Sequence, residues 1–360
     1  MKFGIFDHLE QRRGVPLAEL YEERLKLIEQ ADRARFHCWL TAEHHHSPLC
    51  MAPNQMVFFA AAAARTNTIK LGSLVSVLPL HHPVRLLEEL CMMDHISKGR
   101  LQIGVGKGPT GSEFAMWGGD PDARQEVFDE AMIILLQGMQ NEFLDFRGKN
   151  FSFSNLWMAV RPYQTPHPPF WYGENAATAG KLHANVVFHG SNKGLNEKIK
   201  TYKTALAASK PDWRSGICHN DAPVYGATRR VYLAPTLEEA RERARISYEV
   251  YLGNFRKPAT DDFVEGNVRT PRVPPPKFGP TAISFEQGIS GESLIAGTPS
   301  MLRDHLRDYV RTTDANYYGL SFQWGDLTHQ EASRSMQLFA DEVMPLADEL
   351  ESTQRASVPA

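Results

Sequence analysis

The chain lacks most of the features that define whole classes of protein. It has only 4 cysteines in 360 residues, at positions 38, 50, 91 and 218, with no CxxC pair. That excludes a disulfide scaffold, and the thiols read as reduced groups of a cytoplasmic protein. There is no HExxH and no paired aspartate, so no metal site is expected. The longest apolar run, Met56 to Ala64, is too short to span a bilayer and reads as a buried helix. Net charge is -3 and no Lys/Arg cluster stands out, which argues against a nucleic-acid or anionic-membrane footprint. Nothing at Met1-Lys2-Phe3-Gly4-Ile5-Phe6 reads as a secretory leader; this stretch reads as a strand. No internal repeat or long linker divides the chain.

What is present is a sustained alternation of strands and helices. Apolar residues make up 42% of the chain, enough for a large core. Strands are expected at Lys2–Phe6, Cys38–Thr41, Ile69–Val77, Leu101–Val105, Phe170–Glu174, Val186–His189, Tyr225–Leu233 and Tyr317–Gln323. Helices are expected at Pro16–Ala31, Pro53–Arg65, Val84–Ile96, Arg124–Met139, Ala176–Leu182, Thr236–Tyr251 and Glu331–Ala347. Helix between strand at a spacing of roughly thirty residues argues for βαβ units and a parallel sheet. The fold class is α/β, a (β/α)8 TIM-like barrel with insertions. A doubly wound sheet is the alternative. Residues 1–350 read as a single domain and 351–360 as a disordered tail. Phe146 to Pro169 reads as an irregular, proline-rich excursion. The proline-rich stretch from Arg256 to Gly291 is too long for a plain connection and reads as a lid-like segment.

In such a barrel the chemistry sits where strands end. That rule selects Glu43-His44-His45-His46, then His81 and His82, then Gly106 and Lys107, then Glu174, Asn175 and Thr178, then His189. Imidazoles near neutrality can move a proton or stabilise an anion; the bland alternative is that they cap loops. Gly106-Lys107-Gly108-Pro109-Thr110-Gly111 matches GxGxxG literally. A dinucleotide turn, however, opens a helix at once in the first βα unit, and here Pro109 intervenes and the next clear helix starts near Arg124. Small residues at a strand end would instead let a flat ring lie there, with Lys107 and Arg124 holding a phosphate. Asn175 can cap the following helix.

Read in order, the motifs are familiar. They are Met1-Lys2-Phe3-Gly4, Ala42-Glu43-His44-His45, His82-Pro83-Val84-Arg85, Ser97-Lys98-Gly99-Arg100, Arg124, Gln164-Thr165-Pro166-His167-Pro168-Pro169, Gly297-Thr298-Pro299 and Phe339-Ala340-Asp341-Glu342-Val343-Met344-Pro345. The chain resembles the bacterial luciferase-like flavin monooxygenases, within them the luciferase alpha subunit and alkanal monooxygenase group, over roughly residues 1 to 347.

The resemblance implies a two-component enzyme that takes reduced FMN from a separate flavin reductase. Reduced flavin and O2 would give a C4a-peroxyflavin that oxidises an aldehyde, ketone or related organic substrate. His44 would be the catalytic histidine. The implied cofactor site comprises Glu43, Leu74, Val75, Gly106, Lys107, Arg124, Glu174, Asn175, Ala176 and Thr178. Leu74-Val75 falls where the family has a non-proline cis peptide under the flavin ring. His45, His82, His189 and Trp324 would line the substrate pocket, with Trp324 at its rim and Gly106 at its floor, suiting an aliphatic or terpenoid carbonyl. A homodimer is implied, through the helices Pro53–Arg65 and Val84–Ile96. Two departures stand out: luciferase catalytic subunits carry a reactive cysteine at the position of Gly106 and an arginine at that of Lys107. Light emission is therefore not implied. An F420-dependent oxidoreductase on the same barrel and a non-catalytic partner subunit are the alternatives.

Overall fold

A computed structural model describes residues 1–108, 113, 117–118, 120–260 and 284–357. In chain order it comprises β1 (Lys2–Asp7), α1 (Leu17–Arg33), β2 (Cys38–Thr41), α2 (Gln55–Arg65), β3 (Lys70–Ser73), β4 (Ser76–Val77), α3 (Pro83–Ile96) and β5 (Leu101–Gly106). There follow α4 (Arg124–Gln140), β6 (Phe143–Arg147), β7 (Ser152–Trp157), β8 (Phe170–Gly173), α5 (Ala176–Lys181), β9 (Asn185–Phe188), α6 (Asn192–Ala208), β10 (Tyr225–Leu233) and α7 (Leu237–Thr260). The described chain ends with α8 (Phe285–Ser290), β11 (Leu294–Gly297), α9 (Pro299–Thr312), β12 (Tyr317–Ser321), α10 (His329–Glu342) and α11 (Ala347–Ser357).

Parallel pairing runs β1, β2, β3, β5, β8, β9, β10, β12 and back to β1, so the sheet closes on itself. Closure excludes the doubly wound alternative. These eight strands are those expected from the sequence. Beyond the end of β9 the free edge of β10 is taken up by β11, with Arg230 opposite Leu294.

The local signals act as their chemistry predicts. Asn54 and Thr298 accept from backbone N–H groups of the helices they cap, and Thr328 forms a capping box with Glu331. The Ser97-Lys98-Gly99-Arg100 motif is a structural clamp. Lys98 and Gly99 take positive φ, and the Arg100 guanidinium donates to Ser97 O, Thr66 Oγ1 and Ala63 O. It ties the end of α3 to the end of α2.

Strand alternation turns Gly4 and Phe6, Cys38 and Leu40, Trp171, Val187 and Tyr317 toward the bore, where most of them pack as one apolar cluster with Leu74 and Val75. The Trp171 indole N–H donates to Gln102 Oε1 at 2.9 Å. A second, larger apolar layer lies between strands and helices. The four cysteines are buried and unpaired, and burial pushes the Cys38, Cys50 and Cys91 thiols up to about 11, 12 and 12, so they are packing residues.

Some elements depart from expectation. The third strand is interrupted: β3 stops at Ser73 and β4 resumes at Ser76, with a cis peptide between Leu74 and Val75. The 146–169 excursion is partly ordered as an antiparallel hairpin of β6 and β7. The helix expected to end at Tyr251 runs to Thr260. Of the lid-like segment, 256–260 belong to α7 and 285–290 form α8, while 261–283 lie outside the described residues. Of the tail expected to be disordered, 351–357 belong to α11, which packs beside α9, while 358–360 lie outside the described residues.

Closure brings strand backbones close at Gly104, where an added Cβ would lie 2.0 Å from Ser73 O. The Ser73 hydroxyl also donates to Gly104 O. Gly104→Ala is expected to cost about 3 kcal/mol through overpacking. A urea unfolding midpoint equal to that of the unmodified protein would show that β3 and β5 can part there without cost.

Candidate active site

The C-terminal ends of the parallel strands form one mouth. Alternation places His8 above Gly4 and Phe6 of β1, His189 above Val187 of β9, and Arg230 above Thr228 of β10. The loop after β2 brings Glu43, His44 and His45, and the broken third strand brings Leu74 and Val75. A hollow of about 350 Å³ lies at the opposite end of the barrel, lined by residues such as Lys2, His37, Lys70 and His219. The interior apolar cluster lies between it and the mouth.

Glu43 is buried and fully engaged. Its Oε1 accepts from His45 Nε2 at 2.8 Å and lies 3.0 Å from His81 Nε2, and its Oε2 accepts the Val77 N–H at 2.9 Å. Burial alone would raise its pKa; the hydrogen bonds from His45 and His81 outweigh that and hold it at about 2. One carboxylate thus joins the β2 loop, β4 and the segment before α3. Gln55 braces the same place: its amide donates to Thr41 O at 2.6 Å, and its carbonyl accepts from Ser76. Together they fix the Leu74-Val75 turn. Val75 lies between two glycines. A Cβ at Gly106 would meet Val75 Cγ2 at 2.5 Å, and one at Gly173 would sit 3.9 Å from Val75 Cγ1. The result is a shallow apolar shelf.

His44 follows β2 at the same mouth. Its Nδ1 is 3.1 Å from Glu113 Oε1, which also accepts the His45 N–H at 3.2 Å. Burial raises the Glu113 carboxyl, but the bond with His44 outweighs it, and the group stays below the usual carboxylate range. An anionic Glu113 can only accept, so His44 Nδ1 donates to it and Nε2 is the ring nitrogen left for other partners. The His8 ring stacks on His44 at 5.9 Å and 14°. Burial, then Arg230, His44 and His189, keep His8 well below the ordinary imidazole value, so it is neutral.

On the far side, Lys107 follows β5 and Glu174 follows β8, the strand beside it. Lys107 Nζ donates to Gln125 Oε1 at 2.8 Å and pairs with no carboxylate among the described residues. Arg124, the first residue of α4, donates to Gly108 O at 3.3 Å. Asn175 caps α5 through the Thr178 N–H. Glu174 Oε1 accepts the His189 N–H at 2.6 Å and its Oε2 lies 3.3 Å from Lys198 Nζ. His189 Nδ1 is 3.2 Å from Thr228 Oγ1.

The structure therefore gathers His44, Leu74, Val75, Gly106, Lys107, Arg124, Glu174, Asn175, Ala176, Thr178 and His189 around one mouth. Expectations change for five residues. Glu43 and His45 are committed to each other and to the turn, so they support the site from below. His82 is exposed at the start of α3, edge-on to Phe151 and Phe153 of the hairpin, away from the mouth. Trp324 is 1% exposed and packs in a separate core with Tyr248 and Phe285, so it forms no rim. Gly106 opens no pocket, because Val75 fills its space. Sequence reasoning missed His8, Glu113 and Arg230. Continuing the inward alternation past β1 and along β10 would have found the first and last; Glu113 stands 69 positions from its partner and carries no local signal. Among the described residues no group of three or more His, Cys, Asp or Glu could hold a metal ion.

Comparison with known proteins agrees with this fold. The sequence model of the luciferase-like monooxygenases matches residues 1–316. Among curated relatives, protein y4wF of Sinorhizobium fredii, itself uncharacterised, is 32% identical over 91% of this chain and 92% of its own. Limonene 1,2-monooxygenase of Rhodococcus erythropolis is 27% identical over 89% and 80%. Among solved structures, monooxygenase RslO1 of Streptomyces bottropensis superposes with a TM-score of 0.80 at 24% identity, covering 96% of this chain and 99% of its own. The oxygenating constituent of 3,6-diketocamphane monooxygenase of Pseudomonas putida, in complex with FMN, gives 0.73 at 20%, covering 96% and 98%. An F420-dependent secondary alcohol dehydrogenase gives 0.68 at 14%, covering 96% and 98%. At these identities the structures share the barrel.

The Glu43 knot has a pH signature. Its carboxyl is depressed from 4.5, so its stabilisation is complete above that value and is lost as pH falls toward about 2. His81 is raised from 6.5; burial opposes this, but Glu43 prevails. Its contribution is complete below 6.5 and is lost as pH rises through the raised value. Glu43→Gln is expected to cost about 3 kcal/mol, with the widest gap from the unmodified protein between pH 4.5 and 6.5. Urea midpoints across pH test this; a gap that keeps growing above neutrality would remove the knot.

Proposed function

The chain belongs to the luciferase-like monooxygenase family, and we propose that within it the protein is the oxygenase component of a two-component system that uses reduced FMN and O2 to oxidise a small organic molecule. One observation carries the reading: an imidazole backed by a buried carboxylate, His44–Glu113, stands at the same mouth as an apolar shelf and a lysine with no acidic partner among the described residues.

The donor set fits a flavin mononucleotide. Val75, flanked by Gly106 and Gly173, presents apolar surface for a flat ring. Lys107 and Arg124 supply cations for a phosphate, with the Thr178 and Ala176 end of α5 beside them. When bound, reduced flavin would supply the electrons that activate oxygen. The chain's own residues do the rest. Leu74 and Val75 support the ring, Glu43 and Gln55 hold that support rigid, and His44 holds or takes up a proton at Nε2. Glu113 fixes its tautomer. Hydride transfer with F420 is the competing reading, since F420-dependent enzymes share the barrel. No helix among the described residues is long and apolar enough to cross a membrane. The reductase partner and a homodimer through α2 and α3 belong to the same proposal. Val57, Met92 and Ile96 give those helices exposed apolar positions.

The discriminating experiment is an anaerobic titration with reduced FMN, reduced FAD and reduced F420, followed by mixing with oxygen in the presence of candidate substrates. Preferential binding of reduced FMN with oxygen-dependent product formation is expected; binding of F420 alone would replace the proposal with hydride transfer. Lys107→Ala is expected to weaken reduced FMN about tenfold and to leave reduced riboflavin, which lacks the phosphate, unchanged. An equal effect on both would place Lys107 away from a phosphate. His44→Ala is expected to lower kcat by about a hundredfold or more at nearly unchanged reduced-FMN affinity, with Glu113→Ala between it and the unmodified protein. Full turnover by His44→Ala would discard the assigned role.

A further inference from the structure

Arg230 is a guanidinium aimed at the mouth that makes no ion pair among the described residues. It stands one inward position above Thr228 on β10, and Thr228 itself meets His189. Its neighbour Arg229 turns the other way, to Thr228 O and Asn192 behind the sheet. The Arg230 guanidinium lies flat over the Tyr251 ring, 3.5 Å from its centroid. Stacking of this kind fixes a guanidinium plane and leaves its N–H edge available. Yet among the described residues that edge is unused. Arg230 takes part in no side-chain hydrogen bond and no ion pair, and its Nε is buried without a partner.

The surroundings sharpen the point. The groups that share electrostatics with Arg230 are His8, His189, Glu10 and Tyr251. The imidazoles of His8 and His189 are both held below their ordinary value, burial being the main cause and Arg230 a further one. Glu10 Oε2 accepts from Asn254 Nδ2 at 3.2 Å and the Gly325 N–H at 3.0 Å; Arg230 acts on this carboxyl through space, but burial prevails and raises it, and no ion pair joins the two among the described residues. A buried donor left unpaired is costly, and a preset, planar, doubly donating fork is matched by a carboxylate.

We propose that Arg230 is the substrate-recognising cation of the mouth and that the molecule oxidised is an organic acid, held by its carboxylate on the Tyr251-stacked guanidinium; this rests on the oxygenase reading above for the reaction, but not for the binding. The acid would enter with its carboxylate toward β10 and its remaining carbon skeleton toward His8 and His44. It replaces the purely apolar carbonyl expected from the sequence.

The test uses the full chain and matched probes: octanoate and benzoate against methyl octanoate and methyl benzoate, by calorimetry, with Arg230→Gln and Arg230→Lys. The acids are expected to bind the unmodified protein more tightly than their esters. Arg230→Gln should weaken acid binding by about tenfold to a hundredfold, leave ester binding unchanged, and be partly rescued in Arg230→Lys. Esters that bind as well as acids in the unmodified protein, a panel of acids that does not bind, or an Arg230→Gln protein with unaltered acid affinity would each overturn the proposal. The comparison within the unmodified protein stands even if a variant fails to fold. Reduced FMN should bind Arg230→Gln and the unmodified protein alike. Loss of FMN affinity alone would reassign Arg230 to the flavin and overturn the proposal. Acid binding without any reduced-flavin binding would uphold this site and remove the oxygenase reading.

Discussion

The rest of the mouth depends on one buried carboxylate. Glu43 is 4% exposed, and an ionised group there is tolerable only because both oxygens are occupied by donors from three places in the chain: His45, His81 and the Val77 N–H. The geometry is demanding, and that demand is its use. Removing any donor leaves a charge unsatisfied, so the β2 loop, β4 and the start of α3 are held in one arrangement. Leu74 and Val75 lie between those anchors. With Gln55 bracing the same turn from α2, the shelf is set by polar groups that never reach its surface.

Carboxylates sort the imidazoles of the mouth into roles. His45 and His81 hold Glu43. His44 is backed by Glu113 on one ring nitrogen and faces the mouth with the other. His8 has no acidic partner among the described residues, and burial beside Arg230 keeps it neutral. Residue type alone therefore says little in this cluster. A histidine next to His44 in sequence supports the scaffold, whereas one stacked on it in space comes from another strand.

This explains what the sequence could and could not reveal. All eight barrel strands were legible, because period-two apolar runs bounded by helix caps are local signals. The shelf and the lysine beside it were also legible, since they fall at strand ends. Other features depend on distance. Glu113 acquires meaning only when the barrel folds it onto His44. Glu43 looked like part of the site because it adjoins His44, but its side chain points beneath the turn. Trp324 looked like a rim because it follows β12, yet the core built by α7 absorbs it. His82 sits one residue before Pro83, and the proline starts the helix that carries it outward. The extension of α11 over 351–357 was missed because a polar sequence was read as unable to pay for order. The buried Leu350 of the same helix supplies the apolar contact that it needs.

The literal GxGxxG shows how a pattern and its physics separate. In a dinucleotide turn the glycines let a backbone approach a pyrophosphate at a helix start. Here Gly106 ends the fourth barrel strand, and the absent Cβ makes room for Val75 of the neighbouring shelf, not for a phosphate. Lys107 then carries a charge that no acidic side chain neutralises among the described residues. Arg230, across the barrel, likewise makes no ion pair among the described residues. Two cations thus stand on opposite sides of the mouth with no ion pair among the described residues. A phosphate at one end and a carboxylate at the other would satisfy both, with His44 between their carriers.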